Sequence, residues 1–159
     1  MIIISDTSAI CYLLIINQID ILPALYTSII IPQAVADELS ASESPNIVQS
    51  WISQPPDWLQ IKIIELNQDI ELDTLDLGER EAIVLAEQVK ANLVILDDKA
   101  ARRIAAKRGL KIIGLLGVIK DAAKAQLLDV EVAFDQLQTA GFWVAPSLLK
   151  RLLTDDFKE

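Results

Sequence analysis

The run Ile2-Ile3-Ile4 ends on Ser5-Asp6-Thr7-Ser8, and runs of the same kind recur at Ile29-Ile30-Ile31 and Leu93-Val94-Ile95-Leu96. Consecutive β-branched residues are stiff at χ1 and apolar on both sides, which suits strands covered on both faces rather than a surface helix. Strands of that type belong to parallel sheets, whose connections must cross over, usually through a helix. The expected fold class is therefore α/β, with helices on both faces of a mainly parallel central sheet of about four to five strands. In such sheets ligands bind at the carboxyl ends of the strands. Two of the three runs end there on acids, the first at Asp6 and the third at Asp97-Asp98. From position alone, Asp6 reads equally well as the N-cap of the following helix, a role that Asp, Ser and Thr all favour.

The segments between these runs read as helices and loops. Residues 7–16 and 18–26 suit two helices, with Pro23 near the start of the second. Pro32 ends the second strand and opens a helix through Val35, Glu38 and Leu39. Residues 40–57 are rich in Ser and Pro around Ile47, Val48, Trp51 and Ile52, which predicts a loop, a short helix and another loop. Residues 59–66 predict an edge strand carrying Lys62, and residues 67–76, with Asp69, Glu71, Asp73 and Asp76, a solvated acidic loop. Leu77-Gly78-Glu79 opens a helix that runs to Val89 and is apolar almost all round. A basic helix after Asp97-Asp98 stops at Gly109, residues 111–113 form a short final strand, and helices follow over 115–126, 129–139 and 147–153. A chain of 159 residues, 52% of them hydrophobic, is expected to form a single domain over 1–159.

Composition removes many chemistries. There is no histidine, which excludes Ser-His-Asp and Cys-His catalysis and His-ligated zinc. Cys11 is the one cysteine, so no internal disulfide and no Cys-rich zinc site is available, and a reducing cytoplasm suits it. No cationic segment precedes the first apolar run and no stretch reaches the roughly 20 apolar residues of a membrane span, so a soluble, cytoplasmic protein is expected. The net charge is −9, yet Lys99, Arg102, Arg103, Lys107, Arg108, Lys111, Lys120 and Lys124 face only Asp121 within residues 99–124, a local balance of 8 − 1 = +7. Trp51, Trp58 and Trp143 are too scattered for base stacking and read as packing or interface residues.

If the first and third runs are neighbours in the sheet, their acids meet at its switch point, where like charges require a cation. Without His or Cys, the suitable cation is hard, Mg²⁺ or Mn²⁺, held by carboxylates and waters. Glu38 and Glu79 lie on helices that return to the same sheet.

The ordered motifs Ile3-Ile4-Ser5-Asp6-Thr7-Ser8, Val35-Ala36-Asp37-Glu38-Leu39, Gly78-Glu79-Arg80-Glu81-Ala82-Ile83 and Ile95-Leu96-Asp97-Asp98-Lys99 resemble the PIN-domain ribonucleases. Within that family the chain resembles the small prokaryotic, VapC-like toxin components of toxin–antitoxin pairs. The resemblance implies a three-layer α/β/α fold and hydrolysis of RNA phosphodiester bonds by one or two Mg²⁺ or Mn²⁺ ions. It implies Asp6, Glu38, Glu79 and Asp98 as catalytic acids, with Asp6, Glu79, Asp97 and Asp98 on the metal and Ser8 orienting the site. Ser8 also takes over the capping role. Relatives often have Asp at the position of Glu79 and Thr near Leu96. Glu81 is the competitor for the third acid, but it lies two residues on and roughly 200° round the helix. Lys99, Arg102, Arg103, Lys107 and Arg108 follow the acids at once and are the expected RNA-binding cations, although a solvated helix face has the same composition. A small antitoxin over the basic groove and a homodimer are the implied partners.

Two other readings use the same residues. A Mg²⁺-dependent phosphatase also places Asp at a strand end, but the haloacid-dehalogenase type needs a second Asp where Ser8 stands. A catalytically impaired PIN-like module that binds RNA or protein is the non-enzymatic alternative, since a fold does not guarantee its function.

Overall fold

Five short strands form one sheet. They are β1 (Ile3–Ser5), β2 (Ile29–Pro32), β3 (Leu59–Lys62), β4 (Leu93–Ile95) and β5 (Ile112–Ile113), in the order β3-β2-β1-β4-β5 with every neighbouring pair parallel. The computed structural model describes residues 1–142, 144–148, 150 and 151. The chain moves outward from β1 through β2 to β3, then crosses back to place β4 and β5 on the other side of β1. This reversal opens a crevice beside the end of β1. The register pairs Ile3 with Leu93, Ile4 with Val94 and Ser5 with Ile95, so β1 and β4 finish level. The Asp6 N–H extends the ladder by donating to the Ile95 carbonyl at 3.0 Å.

Alternation along each strand divides the apolar residues between two cores. Ile3, Ile29, Ile31 and Ile95 pack on one face with α1 (Thr7–Ile15), α2 (Ile21–Tyr26), α7 (Leu115–Lys124) and α8 (Val130–Thr139). Ile4, Val94 and Leu96 pack on the other with α5 (Leu77–Val89) and α6 (Lys99–Lys107). Two further helices, α3 (Gln33–Ser40) and α4 (Asn46–Ser53), add Val35, Leu39 and Val48 to the first core. The architecture is the expected three-layer α/β/α arrangement. Its sheet is parallel throughout.

Several boundaries differ from the sequence reading. β3 stops at Lys62 instead of continuing to Leu66, because its partner β2 ends at Pro32, which pairs with Lys62 and then leads into α3. Ile63, just beyond, is 82% exposed. The helix expected from Gln18 begins at Ile21. Trp51 and Trp58 pack tilted against each other, ring centroids 5.7 Å apart, beside the first core. Trp143 and part of the helix expected over 147–153 lie outside the described residues. Among the described residues no helix is long and apolar enough to cross a membrane.

The acidic stretch 67–76 is the largest departure. It is solvated only in part: Asp73 and Asp76 are exposed, but Leu72 and Leu75 are buried in the second core, and a short 3₁₀ turn, Leu72–Thr74, carries the chain between them. Arg108, just past the end of α6, donates to Asp69 at 2.6 Å, to Glu71 at 3.0 Å and to Glu87 on α5 at 3.0 Å. Lys107 adds a contact to Glu71 at 3.4 Å. The local acid excess that reads as a surface run is neutralised by cations 36 and 39 residues further along the chain. Replacing Arg108 with Ala leaves three carboxylates facing one another. The expected result is faster amide hydrogen exchange over residues 69–75 and a lower thermal midpoint, with exchange in β1 and β4 unchanged; unaltered exchange over 69–75 would show that Leu72 and Leu75 alone hold the segment.

Candidate metal centre

Asp6 sits immediately beyond β1, 5% exposed, in the crevice opened by the chain reversal. Its Oδ1 accepts from the Ala9 N–H at 3.2 Å and so caps α1, while Oδ2 accepts from the Asp97 N–H at 3.0 Å across the strand boundary. Asp6 therefore caps a helix and also lines the crevice. Ser8 does not take the cap.

A small cavity of about 80 Å³ opens beside Asp6, lined by Thr7, Ser8, Glu38, Asp76 and Glu79. Glu38 is delivered by α3 and Glu79 by the first turn of α5. The Thr7 hydroxyl and the Gly78 N–H approach the Glu38 carboxylate and favour its ionised form. That approach explains Gly78: a Cβ there would collide with Glu38 Oε1. Asp98 caps α6 by accepting from the Ala101 N–H at 2.9 Å, and its charge reaches Glu79.

Crowded acids resist ionisation here. Burial, then the charges of Asp97 and Glu38, push Asp6 up to about 7, although the Asp97 and Ala9 N–H groups oppose the shift. Glu79 is likewise pushed up to about 7, first by burial and then by Asp98, Asp76, Asp6 and Glu38. Burial also raises Glu38. As the side chains stand, no three described carboxylates, thiols or imidazoles converge tightly enough to hold one ion. The donor set is all oxygen, which suits a hard divalent cation.

A sequence model of the PIN domain matches residues 2–157. The chain belongs to the PIN-domain family. Comparison with curated proteins gives no match. PIN domains are generally nucleases, so a nuclease-type, hydrolytic function attaches to the fold.

Against the sequence reading, the PIN crevice gathers Asp6, Ser8, Glu38 and Glu79, with Asp98 close enough to act on Glu79. Glu81 turns away: its Oε1 accepts from the Ala34 N–H at 3.0 Å, at the start of α3. Asp97 also faces elsewhere. Its Oδ1 accepts from the Leu115 N–H at 2.9 Å at the start of α7, and its Oδ2 is enclosed without a partner. Besides Ser8, the Thr7 hydroxyl lines the crevice, where it favours the ionised form of Glu38. Thr7, Gly78 and Asp76 are the residues that sequence reading missed. The first two stand beside Asp6 and Glu79 in the chain, whereas Asp76 was hidden in an acid-rich stretch.

The basic residues separate by position along α6. Lys99 and Arg102 lie at the crevice end and Arg103 is exposed, whereas Lys107 lies about 12 Å along the helix axis from Lys99, at 1.5 Å per residue, with Arg108 just beyond it. The last two form ion pairs with Asp69 and Glu71 instead of lying beside the acidic crevice.

Two predictions arise from this cluster. The folded protein binds the protons of Asp6 and Glu79 more tightly than the unfolded chain, whose values are the ordinary 3.8 and 4.5. Without divalent cation, the thermal midpoint therefore falls as pH rises from about 4 to about 7, and excess Mg²⁺ suppresses the fall by taking the place of the protons. A flat profile insensitive to Mg²⁺ would contradict it. Gly78→Ala suits an α-helix better than glycine but displaces Glu38; we expect an unchanged or higher thermal midpoint with Mn²⁺ affinity lowered about 10- to 100-fold, measured by calorimetric titration.

Proposed function

We propose that this PIN-domain protein is a Mg²⁺- or Mn²⁺-dependent endoribonuclease. The observation that supports this reading is a buried Asp6 at the switch point of the sheet, facing Glu38 and Glu79 across a cavity with only oxygen donors. Asp6, Glu38, Glu79 and Asp98 are the residues that would hold one or two ions. Such an ion supplies Lewis-acid activation of water and neutralises charge on the phosphodiester. The protein's own part is to aim the donors. The Ala9 and Asp97 N–H groups fix the Asp6 carboxylate, and the Thr7 hydroxyl and Gly78 N–H favour the ionised form of Glu38. Lys99, Arg102 and Arg103, at and beside the crevice end of α6, offset the acidic surroundings and attract the phosphate backbone of RNA.

Within this reading the protein is the toxin of a toxin–antitoxin pair, acting in the cytoplasm, restrained by a small antitoxin and assembled as a homodimer. The resemblance of its four ordered motifs to that group supports the role, and a neighbouring short gene encoding a DNA-binding domain with a charged tail is the expected genomic context. A second reading, a PIN-like RNA- or protein-binding module without turnover, draws on the absence of three converging ligands among the described residues.

The decisive experiment incubates single-stranded RNA with the purified protein and Mg²⁺ or Mn²⁺. Cleavage is expected, and Asp6→Asn is expected to lower it more than about 100-fold while the far-ultraviolet circular dichroism is retained. Full activity in Asp6→Asn sinks the assignment. Mn²⁺ binding without cleavage favours the binding module, and hydrolysis of a small phosphoester in place of RNA favours a phosphatase.

A further inference from the structure

A second cavity, of about 530 Å³, lies on the other side of Asp97 from the acidic cluster. Asp97, Lys99 and Arg102 line it together with Ile113, Leu116 and Phe142. None of these apolar walls is used by the acids of the crevice. We propose that this cavity seats the base of a nucleotide next to the scissile phosphodiester; the proposal rests on the ribonuclease reading and deepens it by assigning a substrate subsite.

Continuity is the first argument. Asp97 lines the cavity, and its own N–H donates to Asp6 Oδ2 at 3.0 Å, so one peptide unit separates this space from the cluster. A strand whose phosphodiester lies at Asp6 has this cavity as its immediate neighbour on the β4 side.

The second argument is the placement of charge. Lys99 and Arg102 are three residues apart on α6 and therefore share a face. Arg102 is anchored by donation from Nη1 to the Leu96 carbonyl at 3.2 Å. A Cβ at Gly114 would collide with that nitrogen, so the glycine leaves the guanidinium its place along the wall. Among the described residues neither Lys99 nor Arg102 forms an ion pair, in contrast to Arg108 with its three. Two cations at the rim of an apolar cavity match a nucleotide, whose phosphate is charged and whose base is not.

The walls supply the third argument. Phe142 packs edge-on against Tyr12, ring centroids 5.0 Å apart at 79°. The volume falls within the range of small-molecule sites, and the lining has their usual form of apolar walls with a few polar groups.

The test walks a single abasic residue through a short single-stranded oligoribonucleotide and measures binding by fluorescence anisotropy. Asp6→Asn protein keeps the strand intact. One abasic position is expected to weaken binding roughly tenfold, the size of one stacked base, while the others have little effect. Ala145→Trp, which fills the cavity from its C-terminal wall, is expected to weaken the intact oligonucleotide by a similar factor and to abolish the effect of that abasic position. Leu116→Trp, from α7, should do the same, and in the otherwise native protein both variants should leave Mn²⁺ affinity unchanged. A uniform abasic profile, or filled variants that bind the intact strand as tightly as their parent, overturns the subsite while the ribonuclease reading survives. Failure of the parent to bind any oligonucleotide, together with no cleavage by the native protein, overturns both.

Discussion

The structure depends on one unfavourable arrangement, a carboxylate buried at the end of the central strand with other carboxylates facing it. Asp6 is held there by two backbone N–H groups, one from α1 and one from the strand boundary at Asp97. Those bonds favour the ionised form, but desolvation and like charge outweigh them and push the carboxyl up to about 7. A fold optimised for stability alone has no use for such a cluster.

What makes the arrangement tolerable is the orientation of the helices. Asp6 receives an N–H from the start of α1, Asp98 from α6, Asp97 from α7 and Glu81 from α3. Each acid thus satisfies a helix end that would otherwise leave donors unpaired, and each helix end offers partial positive charge in return. The same acids divide by which way their remaining oxygens face. Glu81 and Asp97 are absorbed by the helix starts they serve, whereas Asp6 also lines the crevice with Glu38 and Glu79.

The cations divide in a parallel way. A helix of nine residues carries Lys99 at one end and Lys107 at the other, and the two ends meet different surroundings. At the crevice end lie Asp97 and a half-open cavity. At the far end lie Asp69, Glu71 and Glu87, which draw Lys107 and Arg108 into ion pairs. A single basic run in the sequence therefore serves two purposes, one at the candidate site and one in holding an acidic segment against the second core.

By itself, the sequence determined the layers of the fold and the carboxylates of its central strands. Runs of β-branched residues bury on both faces, acids at their ends fall on one edge of a parallel sheet, and the lack of His leaves oxygen as the donor type. Those properties are local, and periodicity and residue chemistry carry them. Tertiary structure alone decided which acids share the crevice. Glu79 and Glu81 differ by two positions on one helix, Asp97 and Asp98 by one at a strand end, and Asp76 sits among other acids in the chain; their roles depend on direction, which is set by packing against partners far away in sequence. The pairing of Arg108 with Asp69 and the approach of Gly78 to Glu38 were equally out of reach, since each joins segments about 40 residues apart, and no local pattern encodes a contact over that distance.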